Sequence, residues 1–306
     1  MKKLNLKNLS YQYIEKSFKE WLDVLGYSKG TVNGMPILIR EFLHFLENNG
    51  VHHITQLQSK HIKQYYEYIS TRSNQKFGGG LNTKTINNQI KAIEKLLEHL
   101  HQRGMQNLPS VGILLEKTQR KEITVLTVEE VKELFELTKK EVNTEKEEII
   151  QARDRAMLVV YYSCGLRRNE GVNVSVDDIN FDTRILHVKK GKNYKERLVP
   201  ISKLNAEYLK EWIYDYRSKI VKDKKEHRLF IGLKGEVTTG GTLYNRLQLL
   251  KLQSENIELT EKVIGLHTLR HSIATHLLKA GMHIEKISKF LGHSSLDSTE
   301  IYTHLI

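Results

Sequence analysis

Cysteine is nearly absent from this sequence: Cys164 is the only one among 306 residues. A lone cysteine cannot close a disulfide within the chain, which excludes disulfide-stabilised secreted domains and indicates a reducing compartment. The apolar run 156–162 comes just before Cys164. We therefore expect this thiol to pack in a core rather than to act as a nucleophile.

Long apolar stretches and clustered carboxylates are also missing. No segment approaches the roughly 18 consecutive apolar residues of a membrane span, and residues 1–6 lack the apolar core of a signal peptide. Asp177 and Asp178 have no third carboxylate at a suitable spacing for a metal site, so we interpret them as a solvated turn. These absences predict a soluble, cytoplasmic protein without a membrane segment or a metal.

Basic residues are abundant. The chain has 48 lysines and arginines against 36 acidic residues, a net charge of +12 at neutral pH, and a pI of about 9.4. A strongly basic protein has a polyanion as its default partner, and nucleic acid is the first candidate.

Hydrophobic spacing predicts two domains. Apolar residues recur at helical intervals over 11–25, 31–47, 59–71 and 83–103, which predicts a helical N-terminal domain over residues 1–108. Residues 109–123 are basic and have no period, as expected for an exposed linker. A second domain follows over 124–306. Its first helix should begin after Thr127, because Glu130 completes a capping box.

The second domain combines helices with a little β-structure. Residues 184–188 and 197–199 alternate like strands and flank a turn at 191–193, which predicts a hairpin. A further short strand is expected at 229–231, and the remainder reads as helix. The fold class is therefore mainly α with a small sheet.

The last forty residues carry a concentrated set of reactive side chains. His267 and Arg270 are three residues apart, His293 follows in a Leu-Gly-His sequence, and Tyr302 comes nine residues later. Arginine grips phosphate oxygens through parallel hydrogen bonds and is always charged. Together with a phenolic nucleophile, these groups are suited to attack on a phosphodiester, where negative charge develops on the non-bridging oxygens.

Upstream motifs complete a family pattern. Gly-Leu-Arg-x-x-Glu occupies residues 165–170, and Gly-Lys-Asn-Tyr-Lys-Glu-Arg-Leu-Val-Pro occupies 191–200. With the C-terminal motifs, the sequence resembles the tyrosine recombinase (phage integrase) family, most closely its Xer-type members. The resemblance extends from about residue 10 to the end, and its specific motifs lie between Arg167 and Tyr302.

The resemblance implies a role for each matching residue. Tyr302 would be the nucleophile, and Arg167 and Arg270 would hold the scissile phosphate, assisted by His267 and His293. Glu170 would orient the first arginine. Lys192 would protonate the leaving oxygen, although Lys189, Lys190 and Lys195 lie nearby and the family more often has Gly-Lys-Gly-Asn at this turn.

The resemblance also implies the reaction and the partners. The N-terminal domain would be a DNA-clamping, core-binding domain of the SAM-like type, and the second would be the catalytic domain. The enzyme would cleave and rejoin strands of double-stranded DNA through a 3′-phosphotyrosyl link, without cofactor or metal. The working unit would be a homo-tetramer, or a hetero-tetramer with a related recombinase, on paired recombination sites.

Other interpretations remain open at this point. A type IB topoisomerase uses similar groups to relax DNA, and a non-catalytic DNA-binding protein could keep the same scaffold. A metal site on His267 and His271 is disfavoured, because Thr268 stands where a metallopeptidase has its glutamate. We expect His271 and His276 to be structural.

The segment after the nucleophile is short. Only residues 303–306 follow Tyr302, too few for a further stable helix. Because Xer-type relatives couple protomers through such a segment, we expect association mainly through other surfaces, and a monomer in the absence of DNA.

Overall fold

The structure is a computed structural model that describes residues 4–74, 78–117, 122–189, 196–293, 297–300 and Tyr302. The chain separates into two compact units, Met1–Lys121 and Glu122–Ile306, and each has its own hydrophobic core. None of the helices in the described part of the chain is both long and apolar enough to cross a bilayer.

The first unit is helical. Its helices are α1 (Leu9–Val24), α2 (Lys29–Asn48), α3 (Ser59–Thr71) and α4 (Thr83–Gln102), with a 3₁₀ turn at Ile54–Gln56. The four helices predicted from apolar spacing are confirmed, with ends that agree within two residues. Asn8, Ser28 and Asn82 begin α1, α2 and α4, and their side chains accept hydrogen bonds from backbone N–H groups of the first turn.

The second unit contains ten further helices among the described residues. They are α5 (Val128–Leu137), α6 (Glu145–Leu158), α7 (Arg168–Val172), α8 (Lys203–Lys210), α9 (Ser218–Ile220), α10 (Gly240–Lys251), α11 (Ile257–Glu261), α12 (Leu266–Lys279), α13 (Ile284–Leu291) and α14 (Asp297–Glu300). Helix α6 continues as a π-helical segment over Val159–Ser163, and α8 as one over Glu211–Arg217. The predicted capping box is confirmed: Glu130 N donates to Thr127 Oγ1, and Thr127 N donates to Glu130 Oε2.

A three-stranded antiparallel sheet lies in the second unit. Strand β1 (Ile179–Asn180) pairs with β2 (Ile185–Val188), which pairs with β3 (Arg197–Pro200). The register places Leu186 opposite Val199 and Val188 opposite Arg197. The mainly helical fold with a small sheet is thus confirmed, and so are the two predicted strands at 184–188 and 197–199.

The prediction of a strand at 229–231 is wrong. The segment is buried, but the structure shows only isolated β-bridges there: one between Ser175 and Arg228, the residue before the segment, and one between Ile231 and Val237. Burial therefore explains its apolar composition. Apolar composition does not guarantee hydrogen bonding to a neighbouring strand. Among the described residues, this segment forms no continuous ladder with another strand.

Three elements near the C-terminus form a small separate core. Ala274 of α12, Ile287 and Leu291 of α13, and Tyr302 pack together away from solvent. The ring of Tyr302 is thereby fixed against α12 and α13, the helices that carry or precede the predicted site residues.

Candidate active site

Arg167 is positioned by an abrupt change in the backbone after α6. The π-helical segment ends before Gly165, which has a left-handed φ of 62° and so favours glycine. Its position is also tight, since an added Cβ would lie 3.0 Å from Leu291 Cδ2. Arg167 then becomes the residue that begins α7, and Glu170, three residues later, accepts a hydrogen bond from Arg167 N at 2.8 Å. Arg167 and Glu170 are three residues apart because they occupy the two positions of a capping box at the start of α7.

Glu170 is the acidic centre of the site. Its side chain is only 4% exposed and contacts Arg167 Nη1 at 2.8 Å and Arg197 Nη2 at 2.8 Å. Arg270 Nη1 lies 3.7 Å from Glu170 Oε2. Burial acts to raise the pKa of the Glu170 carboxyl, but hydrogen bonds and charge from Arg197, together with hydrogen bonds from Arg167, outweigh it and lower the pKa to about 2. Glu170 is therefore a fixed anion.

The three arginines, called the arginine cluster below, are also held by the end of α13. Arg197 Nε donates to the Phe290 carbonyl at 2.9 Å, Arg270 Nη2 to that of Leu291 at 2.7 Å, and Arg167 Nη2 to that of Gly292 at 3.0 Å. The last carbonyls of a helix have no partners within it and carry partial negative charge. The end of α13 therefore acts as a second anchor for the same guanidinium groups.

Arg270 is the most deeply placed member of the arginine cluster. It lies on α12 with its side chain 3% exposed, and its Nη1 donates to the Gly165 carbonyl at 2.6 Å. Burial first, and then the charge of Arg167, lowers the pKa of its guanidinium, although arginine keeps its charge at neutral pH. Arg270 thus links α12, the turn before α7 and the end of α13.

Tyr302 lies beside this cluster with 1% of its surface exposed. Its hydroxyl is 2.9 Å from His271 Nδ1, and its ring is stacked on His293 at a centroid distance of 6.4 Å. Burial raises the pKa of the phenol, although the charges of Arg270 and Arg167 act in the opposite direction. The two arginines therefore favour the phenolate, but burial has the larger effect on the pKa.

The predicted histidines occupy different positions in the site. His293 directly follows Gly292, the residue after α13, and its Nδ1 is 2.6 Å from Thr299 Oγ1. Burial and then the charges of Arg270, Arg167 and Arg197 lower its pKa to about 4, so the ring is neutral at pH 7. His267 lies in the first turn of α12, directly after Leu266. Partial desolvation, followed by the charges of Arg270 and Arg167, lowers its pKa as well, although its side chain still reaches solvent.

Lys192 lies outside the described residues, as do Lys190 and Lys195. Strands β2 and β3 flank this segment. Lys189, the lysine of the group that the structure does describe, forms an ion pair with Asp178, with Nζ 2.5 Å from Oδ1. The structure therefore brings together Arg167, Glu170, Arg270, His293 and Tyr302 and places His267 on the same helix as Arg270.

Two residues of this site were not expected from the sequence. Arg197 had been assigned only to a strand, yet it makes the main ion pair of Glu170. The alternation of β3 carried the signal: Leu198 is 64% exposed whereas Val199 is buried, so Arg197 shares the inner face with Val199. His271 had been interpreted as structural, and its contact with Tyr302 joins residues 31 positions apart, which no local pattern reveals.

Comparison with known proteins supports the resemblance seen in the sequence. Residues 124–306 match the phage integrase family. Tyrosine recombinase XerD of Staphylococcus saprophyticus is 29% identical over 281 residues, covering 92% of this chain and 89% of the relative. Tyrosine recombinase XerC of Oceanobacillus iheyensis is 30% identical over 297 residues, covering 96% and 91%.

Structural comparison identifies the same fold. The XerH site-specific recombinase, solved bound to its difH substrate in a pre-cleavage complex, superposes with a TM-score of 0.69 at 22% identity, covering 96% of this chain and 81% of XerH. The family match covers more than half of the chain, and the relatives match along nearly their whole length. The chain therefore belongs to the phage integrase family and is a tyrosine recombinase of the Xer type.

Proposed function

We propose that this recombinase cleaves and rejoins DNA strands at paired recombination sites, with Tyr302 as the nucleophile. The observation that carries the proposal is the convergence of the Tyr302 phenol, His293 and the arginine cluster at the end of α13. A phenol beside fixed guanidinium groups is suited to attack phosphorus, because those groups stabilise the charge that develops on the phosphate oxygens.

Arg167 and Arg270 bind the two non-bridging oxygens in this scheme. Each has five N–H donors, so bonds to helix carbonyls and to Glu170 fix the guanidinium plane without using every donor. His293 and His267 donate further hydrogen bonds to the phosphate. Lys192 protonates the 5′-oxygen as it leaves, a role that follows from the family resemblance.

The reaction is a pair of transesterifications. Tyr302 Oη forms a bond to phosphorus, the bond to the 5′-oxygen breaks, and a 3′-phosphotyrosyl link remains. A 5′-hydroxyl of the partner strand then attacks that link and releases Tyr302. Each step exchanges one phosphodiester for another, so neither a nucleotide cofactor nor a metal is required.

The two domains have different roles in this proposal. Residues 1–108 form the DNA-clamping domain, 109–123 the linker and 124–306 the catalytic domain. The net charge of +12 supports contacts with the phosphates of double-stranded DNA. Four protomers, either identical or paired with a related recombinase, assemble on two sites in the cytoplasm.

Covalent trapping tests this proposal. Wild-type protein is incubated with fragmented genomic DNA, and the protein-linked fragments are isolated under denaturing conditions and sequenced. A recurrent cleavage site and a phosphotyrosyl bond at Tyr302 are expected. A plasmid carrying two copies of that site should recombine, whereas a topoisomerase would relax a plasmid without the site. Adducts at another residue, or relaxation alone, would contradict the proposal.

A further inference from the structure

His271 lies within hydrogen-bonding distance of the reacting atom of Tyr302. Its Nδ1 lies 2.9 Å from the phenolic oxygen, and the two ring centroids are 5.6 Å apart with planes inclined by 52°. Among the described residues, His271 rather than His267 is the histidine that reaches this oxygen. The two rings lie one helical turn apart on α12, with centroids 6.5 Å from each other.

The surroundings of His271 keep its ring neutral. His267 and Arg270 lie on the same helix, while Tyr302 and His293 face it from the segment after α13. Burial is the main cause that lowers the pKa of His271 to about 4, followed by the charges of His267 and Arg270. A neutral imidazole has one donor and one acceptor nitrogen, so Nδ1 is able to accept a proton from the phenol.

We propose that His271 is the proton acceptor for the Tyr302 hydroxyl during strand cleavage. The inference rests on the proposed function, because it requires Tyr302 to be the nucleophile. Three facts carry it: the hydrogen bond to Oη, the placement of the ring on a helix that also carries Arg270, and a phenol that is protonated at neutral pH and whose pKa burial raises further.

The proton balance of the step is complete. As Tyr302 Oη bonds to phosphorus, its proton passes to His271 Nδ1 and produces an imidazolium. The bond to the 5′-oxygen breaks, and that oxygen takes a proton from Lys192. In the second transesterification the roles reverse: Lys192, now neutral, takes the proton of the attacking 5′-hydroxyl, and the imidazolium returns its proton to the departing Tyr302 oxygen. No redox partner or additional reactant takes part.

Substitution at position 271 separates proton transfer from positioning. In His271→Asn the amide oxygen replaces Nδ1 as a hydrogen-bond acceptor but does not take a proton, His271→Gln places the amide near the position of Nε2, and His271→Ala removes both. The probe is a nicked duplex that carries the site recovered by trapping the wild-type protein, and the readout is the rate of covalent adduct formation. Positioned acid–base groups contribute roughly 10²–10⁴-fold to rate, so a loss of at least about 10²-fold is expected for all three variants.

Two further measurements show whether the His271 variants lose the proton transfer from Tyr302. They are the dependence of the cleavage rate on pH and the cleavage of a duplex with a changed leaving group. His271→Asn should gain about tenfold in rate per pH unit above neutrality, because the phenol must then ionise without a base, whereas the wild-type profile should be nearly flat. A duplex with sulfur in place of the bridging 5′-oxygen needs no acid for the leaving group. It should rescue a Lys192→Ala variant but leave the His271→Asn defect in place.

His276→Asn is the matched control. His276 also lies on α12 and contacts a tyrosine, with Nδ1 2.8 Å from Tyr162 Oη, but its other nitrogen contacts the Leu126 carbonyl at 2.9 Å and it lies outside the site. It should retain the wild-type rate and pH profile. A Tyr302→Phe sample distinguishes the two proposals, because an adduct persisting in that variant would contradict the nucleophile rather than the base.

Three results would overturn the role of His271. Cleavage by His271→Asn at a near-wild-type rate would show that the residue only positions Tyr302, and rescue of that variant by the sulfur-containing duplex would assign the defect to the leaving group. The third test needs no variant at position 271. In wild-type protein with ¹⁵N-labelled histidine, the signal perturbed by Tyr302→Phe should show a proton on Nε2, and a proton on Nδ1 would make His271 a donor and exclude the proposed role.

Discussion

Arg197 grips the carboxylate of Glu170 with both terminal nitrogens, Nη2 to Oε2 at 2.8 Å and Nη1 to Oε1 at 3.2 Å. The strand β3 and the start of α7 are thereby joined by a buried ion pair, to which Arg167 adds a third nitrogen at 2.8 Å. Because removal of one partner from a buried pair leaves the other charge uncompensated, the whole arginine cluster depends on this carboxylate.

Glu170→Gln should therefore destabilise the protein in a pH-dependent manner. The pKa of Glu170 falls from its ordinary value of 4.5 to about 2 on folding, which corresponds to a stabilisation on the order of 3 kcal/mol. This stabilisation is present above the unfolded pKa and is lost as the pH falls towards the folded pKa. Denaturant unfolding of both proteins between pH 7 and pH 3 should show the difference shrinking below about pH 4.5.

An exposed pair provides the control for that experiment. Glu136 lies 2.7 Å from Lys139 but is 67% exposed, and exposed pairs contribute at most about 1 kcal/mol. Glu136→Gln should change stability little at any pH. A Glu170→Gln difference that stayed constant down to pH 3 would show that its cause is packing rather than charge.

Tyr302→Phe should abolish covalent attachment while DNA binding is retained. The substitution removes only the phenolic oxygen, and the ring still fills the small core with Ala274 and Leu291. A nicked substrate analysed on a denaturing gel measures the adduct, and a native gel measures binding. An adduct of normal yield would falsify the assignment of the nucleophile.

Arg270→Ala should slow cleavage by roughly 10²–10³-fold, the usual effect of losing one preorganised donor to the transition state. DNA affinity should change much less, because many other basic residues supply phosphate contacts. Arg167→Ala should behave similarly. Single-turnover cleavage and binding titrations on the same duplex separate the two effects.

Arg217→Ala tests whether the loss is only structural. Like Arg270, Arg217 is buried and donates to two backbone carbonyls, those of Arg228 at 2.9 Å and Glu226 at 2.6 Å. Its removal should lower thermal stability without a comparable loss of cleavage by the folded protein. Equal cleavage defects in the Arg270 and Arg217 variants would contradict the assignment of Arg270 to the phosphate.

Gly292→Ala should slow cleavage, in addition to the loss of stability that a left-handed backbone conformation causes in alanine. Gly292 has a left-handed φ of 65°, and an added Cβ would lie 2.8 Å from Arg197 Nη1, a group held by Glu170 and by the Phe290 carbonyl. Gly281→Ala is the control, since its φ is 83° but nothing lies within 4 Å of the added Cβ. Both variants should lose about 1–2 kcal/mol, but only Gly292→Ala should displace the arginine cluster and slow cleavage.

Cleavage should proceed at an undiminished rate in EDTA. The arginine cluster supplies the positive charge that metal ions supply in other phosphoryl-transfer sites. Adduct formation is measured after dialysis against the chelator and again after addition of magnesium or zinc. A requirement for either ion would contradict the mechanism.

Much of this protein was determined by local sequence. The four helices of the first unit follow from apolar residues at helical spacing and from capping side chains such as Asn8, which act within a few residues. The capping box at Thr127 and the strands around 184–188 and 197–199 are local in the same sense. The motifs also indicated Arg167, Glu170, Arg270, His293 and Tyr302, because each has a characteristic residue type and spacing.

Only the tertiary structure decided how these residues work together. Arg197 meets Glu170 across 27 residues, and His271 meets Tyr302 across 31, distances over which no periodicity operates. The failed strand at 229–231 has the same origin, because a strand needs a partner and composition specifies only burial. The direction in which the pKa of the Tyr302 phenol shifts likewise depends on burial outweighing the charges of two arginines. Packing in three dimensions sets this balance, because desolvation depends on every atom around the oxygen.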